Sequence, residues 1–306
     1  MYFEAAELYT KAYKRTKNKA IKAHSVQNSN VLDLLCEDGH VIQIKLKVGG
    51  DAQPEPEYKL VGRNRATTFT GLCSTHDSDI FREIDTEEID VNNVRQLYLL
   101  AYRSVLRELH ATMHAAGMIQ GAYQKRVKMG LDPKDQRSPA GIEAIFQMVK
   151  SWRTYRYRCK FDKLEETDNY EDLVHFAKKL ETSEATLAAS VLFAVGRYTN
   201  EADLVGVALN IVPLNENKTV VIFSYLKEHE GEVRKAFPEL YETEGHYFGY
   251  VVSKLLLKYG ENLVISPKYY SSWSDEKRTC ILDYFTETLL EQEYEKESDH
   301  LLLFQM

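Results

Sequence analysis

Cysteine is scarce in this chain: four in 306 residues, at positions 36, 73, 159 and 280. Thiols that few and that scattered exclude a disulfide framework and leave reduced side chains or metal ligands. No run approaches the ~18 consecutive apolar residues of a membrane span, so no membrane partner is expected. Internal repeats and low-complexity tracts are missing as well. There is no P-loop, Rossmann glycine fingerprint, G-x-S-x-G elbow, H-E-x-x-H or kinase signature, which argues against nucleotide-cofactor enzymes, serine hydrolases and zincins. The first ten residues carry Glu4 and Glu7 and lack the basic and apolar blocks of a signal peptide, giving the expectation of a cytoplasmic protein.

What is present is ordinary globular composition, 44% hydrophobic and 28% charged, in a length that allows two subdomains or one large domain. Net charge is -7, but residues 1–160 hold 25 Lys and Arg against 19 Asp and Glu, and residues 161–306 hold 14 against 27. A basic half can meet phosphates, and an acidic half can engage the basic half of a neighbour. The division expected is a basic region over 1–135 and an acidic one over 138–306, packed separately or as a single domain. The fold class is α+β: an N-terminal β-hairpin and helical region with a candidate zinc staple, then a mixed α+β half.

One stretch gathers soft metal ligands with carboxylates, Phe69-Thr70-Gly71-Leu72-Cys73-Ser74-Thr75-His76-Asp77-Ser78-Asp79-Ile80-Phe81. A thiolate and an imidazole three residues apart can reach one zinc ion at about 2.0–2.3 Å. Two more ligands follow from a hairpin read over Asn30 to Val48. With Glu37-Asp38-Gly39 as a three-residue loop, Leu32, Leu34 and Cys36 align with Ile44, Ile42 and His40, which makes Cys36 and His40 cross-strand neighbours. Cys36, His40, Cys73 and His76 are therefore the candidate metal ligands, with Asp77 as an alternative that would leave an open coordination position. Cys36 as a small core residue and His40 as a turn residue remain the plainer reading. Gly49 to Glu57 reads as a loop.

The pattern F-x-G-x-C-x-x-H-D-x-x-x-F, followed by Ala101-Tyr102-Arg103 and by the segments Pro213 to Leu226 and Asn262 to Trp273, resembles a bacterial protein family. The resemblance implies a bacterial origin and one coherent chain, and it assigns no catalytic role to any residue.

From Asn93 to Ala116, Val94, Tyr98, Ala101, Val105 and Leu109 recur at helical spacing as a core face. Arg103, Arg107, His110 and His114 form a second stripe and are the candidate catalytic residues. Arg103 with His110, and Arg107 with His114, resemble the Arg-His signature of HEPN ribonucleases, which implies metal-independent RNA cleavage. His would act there as general acid or base and Arg would neutralise phosphate. A solvated basic stripe, or a structural pair of Glu108 with Arg107 or Arg103, reads the same residues without chemistry.

Elsewhere, residues 2 to 24 read as a helix bearing Lys11, Lys14, Arg15, Lys17, Lys19 and Lys22. Gly121 to Ala140 reads as an exposed basic linker, and Ser138-Pro139 opens a helix to Trp152. Arg153 to Phe161 alternates as a strand, with Tyr155, Tyr157, Cys159 and Phe161 on one face and cations on the other. Leu204 to Val212 and Thr219 to Leu226 read as a hairpin. Helices follow at 231–241 and 245–259, then a strand at 262–266 and a helix after Ser274. His229 and His246 have no ligand partners at useful spacing. These residues together give the expectation of a nucleic-acid- or polyanion-binding protein, metal-stabilised and acting in defence or stress response. The alternatives are a HEPN-like ribonuclease and a structural or signalling subunit that forms a homo-oligomer. RNA or DNA is the expected partner and zinc the expected metal.

Overall fold

Long runs of β-branched and apolar residues that are buried on both faces need cover on both sides, and the fold supplies it. In the computed structural model, which describes residues 19–48, 54–134, 136–196, 203–290 and 294–306, the strands are β1 (Ala20–His24), β2 (His40–Val48), β3 (Pro54–Gly62), β4 (Thr68–Cys73), β5 (Leu173–Glu181), β6 (Leu187–Ala194), β7 (Gly206–Asn215), β8 (Lys218–Leu226) and β9 (Leu263–Ile265). The principal helices are α1 (Ser74–Thr86), α2 (Val94–Lys128), α3 (Pro139–Thr167), α4 (Glu230–Ala236), α5 (Pro238–Glu242), α6 (Gly245–Tyr259), α7 (Pro267–Ser271) and α8 (Asp275–Leu290). Seven strands form one sheet in the order β3-β2-β9-β6-β7-β8-β5, and each pairing is antiparallel. The sheet crosses the charge boundary of the chain, since β2 pairs with β9 at Ile42 and Ile265.

Alternation sorts the strand residues between the two faces. Val207, Leu209 and Ile211 share a core with Phe223, Tyr225 and residues of α6 and α8, such as Phe248, Leu256 and Tyr284. Their neighbours Ala208, Val212 and Ile222 pack with the N-terminal elements and α2. Three layers result, with α2 and α3 on one face and α6 and α8 on the other. At the N-terminus of α2, Asn93 caps by accepting from Arg95 N and Gln96 N. Arg95 then reaches Glu83 of α1 at 3.2 Å and Glu165 of α3 at 3.3 Å, fastening three helices together.

Several local expectations hold. The β7–β8 hairpin turns at Glu216-Asn217, α6 spans Gly245–Tyr259, and Ser138 accepts from Gly141 N at 3.1 Å with Pro139 at the first helical position. Others are corrected. Asn28–Leu32 and Asp33–Leu35 are helical turns rather than a strand, because Val31, Leu32 and Leu35 bury one helical face. The turn is the two-residue form, Asp38 and Gly39 both having positive φ (49° and 72°) between the bridged Glu37 and His40. The partner of β2 is β3, which begins at Pro54 inside the expected loop and lies at the sheet edge, where proline is tolerated. Residues 20–24 are a strand paired with β4, and the rest of the expected N-terminal helix, with Lys11, Lys14, Arg15 and Lys17, lies outside the described residues.

The basic segment after Ala116 is also helical. Helix α2 runs through Gly121 to Lys128, so the linker shrinks to the residues between α2 and α3. Arg153 to Phe161 is the middle of α3, not a strand. Thr154, Tyr157, Phe161 and Leu164 are its buried positions, a helical spacing that shares Tyr157 and Phe161 with the alternating pattern.

Candidate functional site

The motif sits where β4 leads into α1. Phe69 is buried, and its ring lies over Gly71 so closely that a Cβ there would stand 2.6 Å from it. Cys73 occupies the N-cap position of α1 with extended backbone, and its buried Sγ lies 3.3 Å from Nδ1 of the exposed His76. One turn later, burial pushes the Asp77 carboxyl above its usual range, and the Arg103 charge works against that rise.

Half of the expected ligand set is thus brought together. The other half is engaged elsewhere: Cys36 Sγ lies 3.4 Å from the Asp33 carbonyl, and His40 Nδ1 lies 2.8 Å from the Asp38 carbonyl. Among the described residues no group of three or more His, Cys, Asp or Glu side chains is arranged to hold a metal ion. The hairpin register that placed Cys36 opposite His40 depended on a strand that is a helical turn. Cys73 and His76 remain the two residues that could share a metal, with Asp77 beside them.

The stripe on α2 changes character along its length. Arg103, with 4% of its side chain exposed, forms a bidentate pair with Asp85 of α1 (both contacts 2.7 Å) and lies 4.2 Å over the Phe81 ring. Its charge is paired with Asp85 inside the fold, which argues against Arg103 as the phosphate-neutralising partner of His110. Arg107 pairs with Glu108 at 3.1 Å, the structural pairing weighed above, and burial pushes the Glu108 carboxyl up against the pull of Arg107 and Lys150. His110 packs 6.3 Å from the Phe69 ring, beside the strand that carries Thr70. Burial, then the neighbouring His114 and Arg107, lower its pKa. His114 is exposed and its ring stacks on His110 at 6.3 Å. The four residues do share a helix face, but α1 and β4 cover its first half, and only Arg107, His110 and His114 approach solvent. In the core face of the same helix Tyr98, Ala101, Val105 and Leu109 are buried as expected, while Val94 is exposed.

A second polar group lies beneath α2. Ser104 Oγ stands 2.8 Å from Ser190 Oγ and 3.1 Å from Asn210 Oδ1, and Asn262 Nδ2 donates to the Ser190 carbonyl at 2.7 Å and to Ser25 Oγ at 2.8 Å. Beside it is a cavity of about 20 Å³, measured as room for the centre of a water-sized sphere, lined in part by Ser25, Gln27, Arg103, Ser190 and Asn210. Arg103 Nε and Asn210 Nδ2 are buried there without a partner, and a space of this size and polarity suits one ordered water. The sequence signal was available: Ser190 and Asn210 interrupt the apolar runs of β6 and β7.

His175 on β5 meets Ser224 of β8 at 2.8 Å, and burial lowers the His175 pKa to about 4. A histidine held neutral by burial favours the folded state only while the unfolded chain is also neutral. Its contribution is therefore complete above pH 6.5 and falls as pH drops from 6.5 towards 4, by about 3 kcal/mol. Chemical unfolding at a series of pH values should show that fall, and His175→Gln should flatten it; an unchanged profile in the variant would exclude His175 as its source.

Beyond the sheet, α2 and α3 continue as a two-helix arm from Gly117 to Arg153. The buried side chains in that stretch, among the described residues, are Asp132, Ser138 and Ala144. Arg126 pairs with Asp132 near the tip. Lys125, Lys128, Lys134 and Arg137 are exposed there and make no ion pair among the described residues, with exposed Met129 and Leu131 between them. No described helix is long and apolar enough to cross a membrane. Comparison with protein-family models, curated proteins and solved structures finds no match.

Proposed function

We propose that the protein binds nucleic acid or another polyanion, and that the tip of the α2–α3 arm is its contact surface in place of the Arg103 stripe. The observation that carries this reading is the set of four exposed cations, Lys125, Lys128, Lys134 and Arg137, without ion pairs among the described residues. A phosphate chain recruits cations that are not already neutralised, and their release of counterions makes binding steeply salt-dependent. The exposed Met129 and Leu131 between them add apolar surface against which a base or sugar can pack.

Fluorescence anisotropy with labelled single-stranded RNA and duplex DNA over a salt series tests the proposal. Each phosphate contact contributes about 0.7 to the log-log salt slope on a single strand and about 0.9 on a duplex. The variant with Lys125, Lys128, Lys134 and Arg137 all changed to Gln should lose a slope of about three to four, and with it about two orders of magnitude of affinity at low salt. Lack of binding at low salt, or an unchanged slope in the variant, would sink the reading.

A second reading rests on the stacked His110 and His114 beside Arg107. Because its pKa is lowered, His110 is a free base at neutral pH and suits proton abstraction from a ribose hydroxyl. This metal-independent ribonuclease, in a defence role, would cleave RNA in the presence of chelator and lose the activity in both His110→Ala and His114→Ala. Zinc at Cys73 and His76 belongs to the proposal as a stabilising element whose remaining ligands come from solvent or from outside the described residues. Metal analysis of the native protein and of Cys73→Ser decides it: a stoichiometric metal lost in the variant supports the site, and no metal in the native protein returns the pair to a hydrogen bond.

A further inference from the structure

Helix α3 has two apolar faces, and the fold uses one. Ala144, Thr154, Tyr157 and Phe161 turn towards α2 and the sheet, whereas Ile142, Ile145, Phe146, Val149 and Trp152 are all at least 39% exposed. Residues 142, 145, 149 and 152 repeat at three, four and three, the spacing of the a and d positions of a coiled coil. Phe146 and Met148 then flank the seam as e and g. No ionisable residue occupies an a, d, e or g position from 141 to 152; Glu143 and Lys150 fall at b. A seam of this kind on a helix already fastened to a body leaves apolar surface that the described residues do not cover.

We propose that this seam pairs antiparallel with the same seam of a second copy of the chain, joining two arms into a four-helix bundle. The sequence is self-complementary in that direction. Antiparallel pairing centred near residue 147 sets Ile142 against Trp152 of the second copy and Ile145 against its Val149, and the two-fold axis repeats each contact. The same register brings Glu143 level with Lys150 of the second copy, opposite charges on the same side of the pair, again twice. Exposed apolar surface on the seam is on the order of 500 Å² per copy, or about 1,000 Å² in the pair, which reaches the lower bound of specific interfaces. The dimer is therefore a dissociable one. It stands independently of polyanion binding, since the seam contains none of the four tip cations and its readout is mass.

Sedimentation velocity across the micromolar range tests it. The native chain should shift with concentration from 35.3 kDa towards twice that mass. Val149→Glu should stay at the monomer mass with unchanged circular dichroism and melting temperature, because the position is exposed in the single chain. Direction is read by cross-linking in a Cys159→Ser background: a mixture of Ile145→Cys and Val149→Cys proteins should form disulfide-linked dimers several-fold faster than either protein alone. A native protein that is monomeric at every concentration overturns the proposal, as does a dimer that survives Val149→Glu. Equal cross-linking in the mixture and the separate proteins overturns the antiparallel register. If the native monomer instead sediments with anionic phosphatidylserine vesicles and Val149→Glu does not, the seam is a lipid contact and the dimer is excluded.

Discussion

Replacing Asp85 with alanine is expected to cost about 3–5 kcal/mol of folding stability, the largest penalty of any single change at the candidate site. The reason is the asymmetry of its ion pair. Asp85 keeps 36% of its side chain exposed, whereas Arg103 keeps 4% and lies against the Phe81 ring. Removing the carboxylate strands a buried guanidinium without its counter-charge, and its Nε has no partner among the described residues to compensate. Arg103→Met should be milder, because the stem still packs and Asp85 can be rehydrated. Urea unfolding of the two variants decides the matter. If Arg103→Met proved the more damaging, Arg103 would owe its place to something other than this pair, and the case for a functional arginine at that position would reopen.

Phe161→Ala is expected to cost a similar amount, about 3–5 kcal/mol, by opening a cavity among three aromatic rings. Its ring lies 5.9 Å from Tyr98, 6.2 Å from Tyr102 and 5.3 Å from Tyr157, and Tyr98 donates a hydrogen bond to its carbonyl at 3.1 Å. Cys159→Ala, by contrast, should change stability by less than about 0.5 kcal/mol, since the residue is exposed. The alternating strand reading puts both residues on one buried face and requires comparable losses. Parallel denaturation curves therefore distinguish the helix from the strand.

That segment shows why part of the fold was legible and part was not. The β7–β8 hairpin could be read because both strands are mainly apolar and β-branched and are separated by a turn of polar residues. Helix α6 could be read because apolar periodicity persists for 15 residues and stops at Gly260. Between residues 153 and 161, Tyr157 and Phe161 satisfy a period of two and a period of 3.6 alike, and only the neighbours Thr154 and Leu164 break the tie. Around Cys36 the difficulty was remoteness: β2 has its hairpin partner downstream in β3, across a segment rich in glycine and proline, and residues 28–35 before the turn are helical.

The candidate site divides in the same way. Proximity of Cys73 to His76, the common face of Arg103, Arg107, His110 and His114, and the cap at Ser138 follow from local geometry, because a helix turn dictates them without help from the rest of the chain. Which part of that common face would meet solvent was decided by tertiary packing. Arg103 is buried because α1 delivers Asp85 and Phe81 from 18 and 22 residues earlier, and the charge is tolerated inside only with that partner. The exposed seam of α3 was likewise invisible beforehand, since an apolar repeat announces that a face wants cover but not whether the chain itself provides it. Sequence alone determined the α+β class, the cap at Ser138 and the β7–β8 turn, where a few neighbouring residues set the energy. Burial of the arginine and exposure of the seam depend on residues brought together from far along the chain, and those distances are set only when the sheet and its two helical layers have closed.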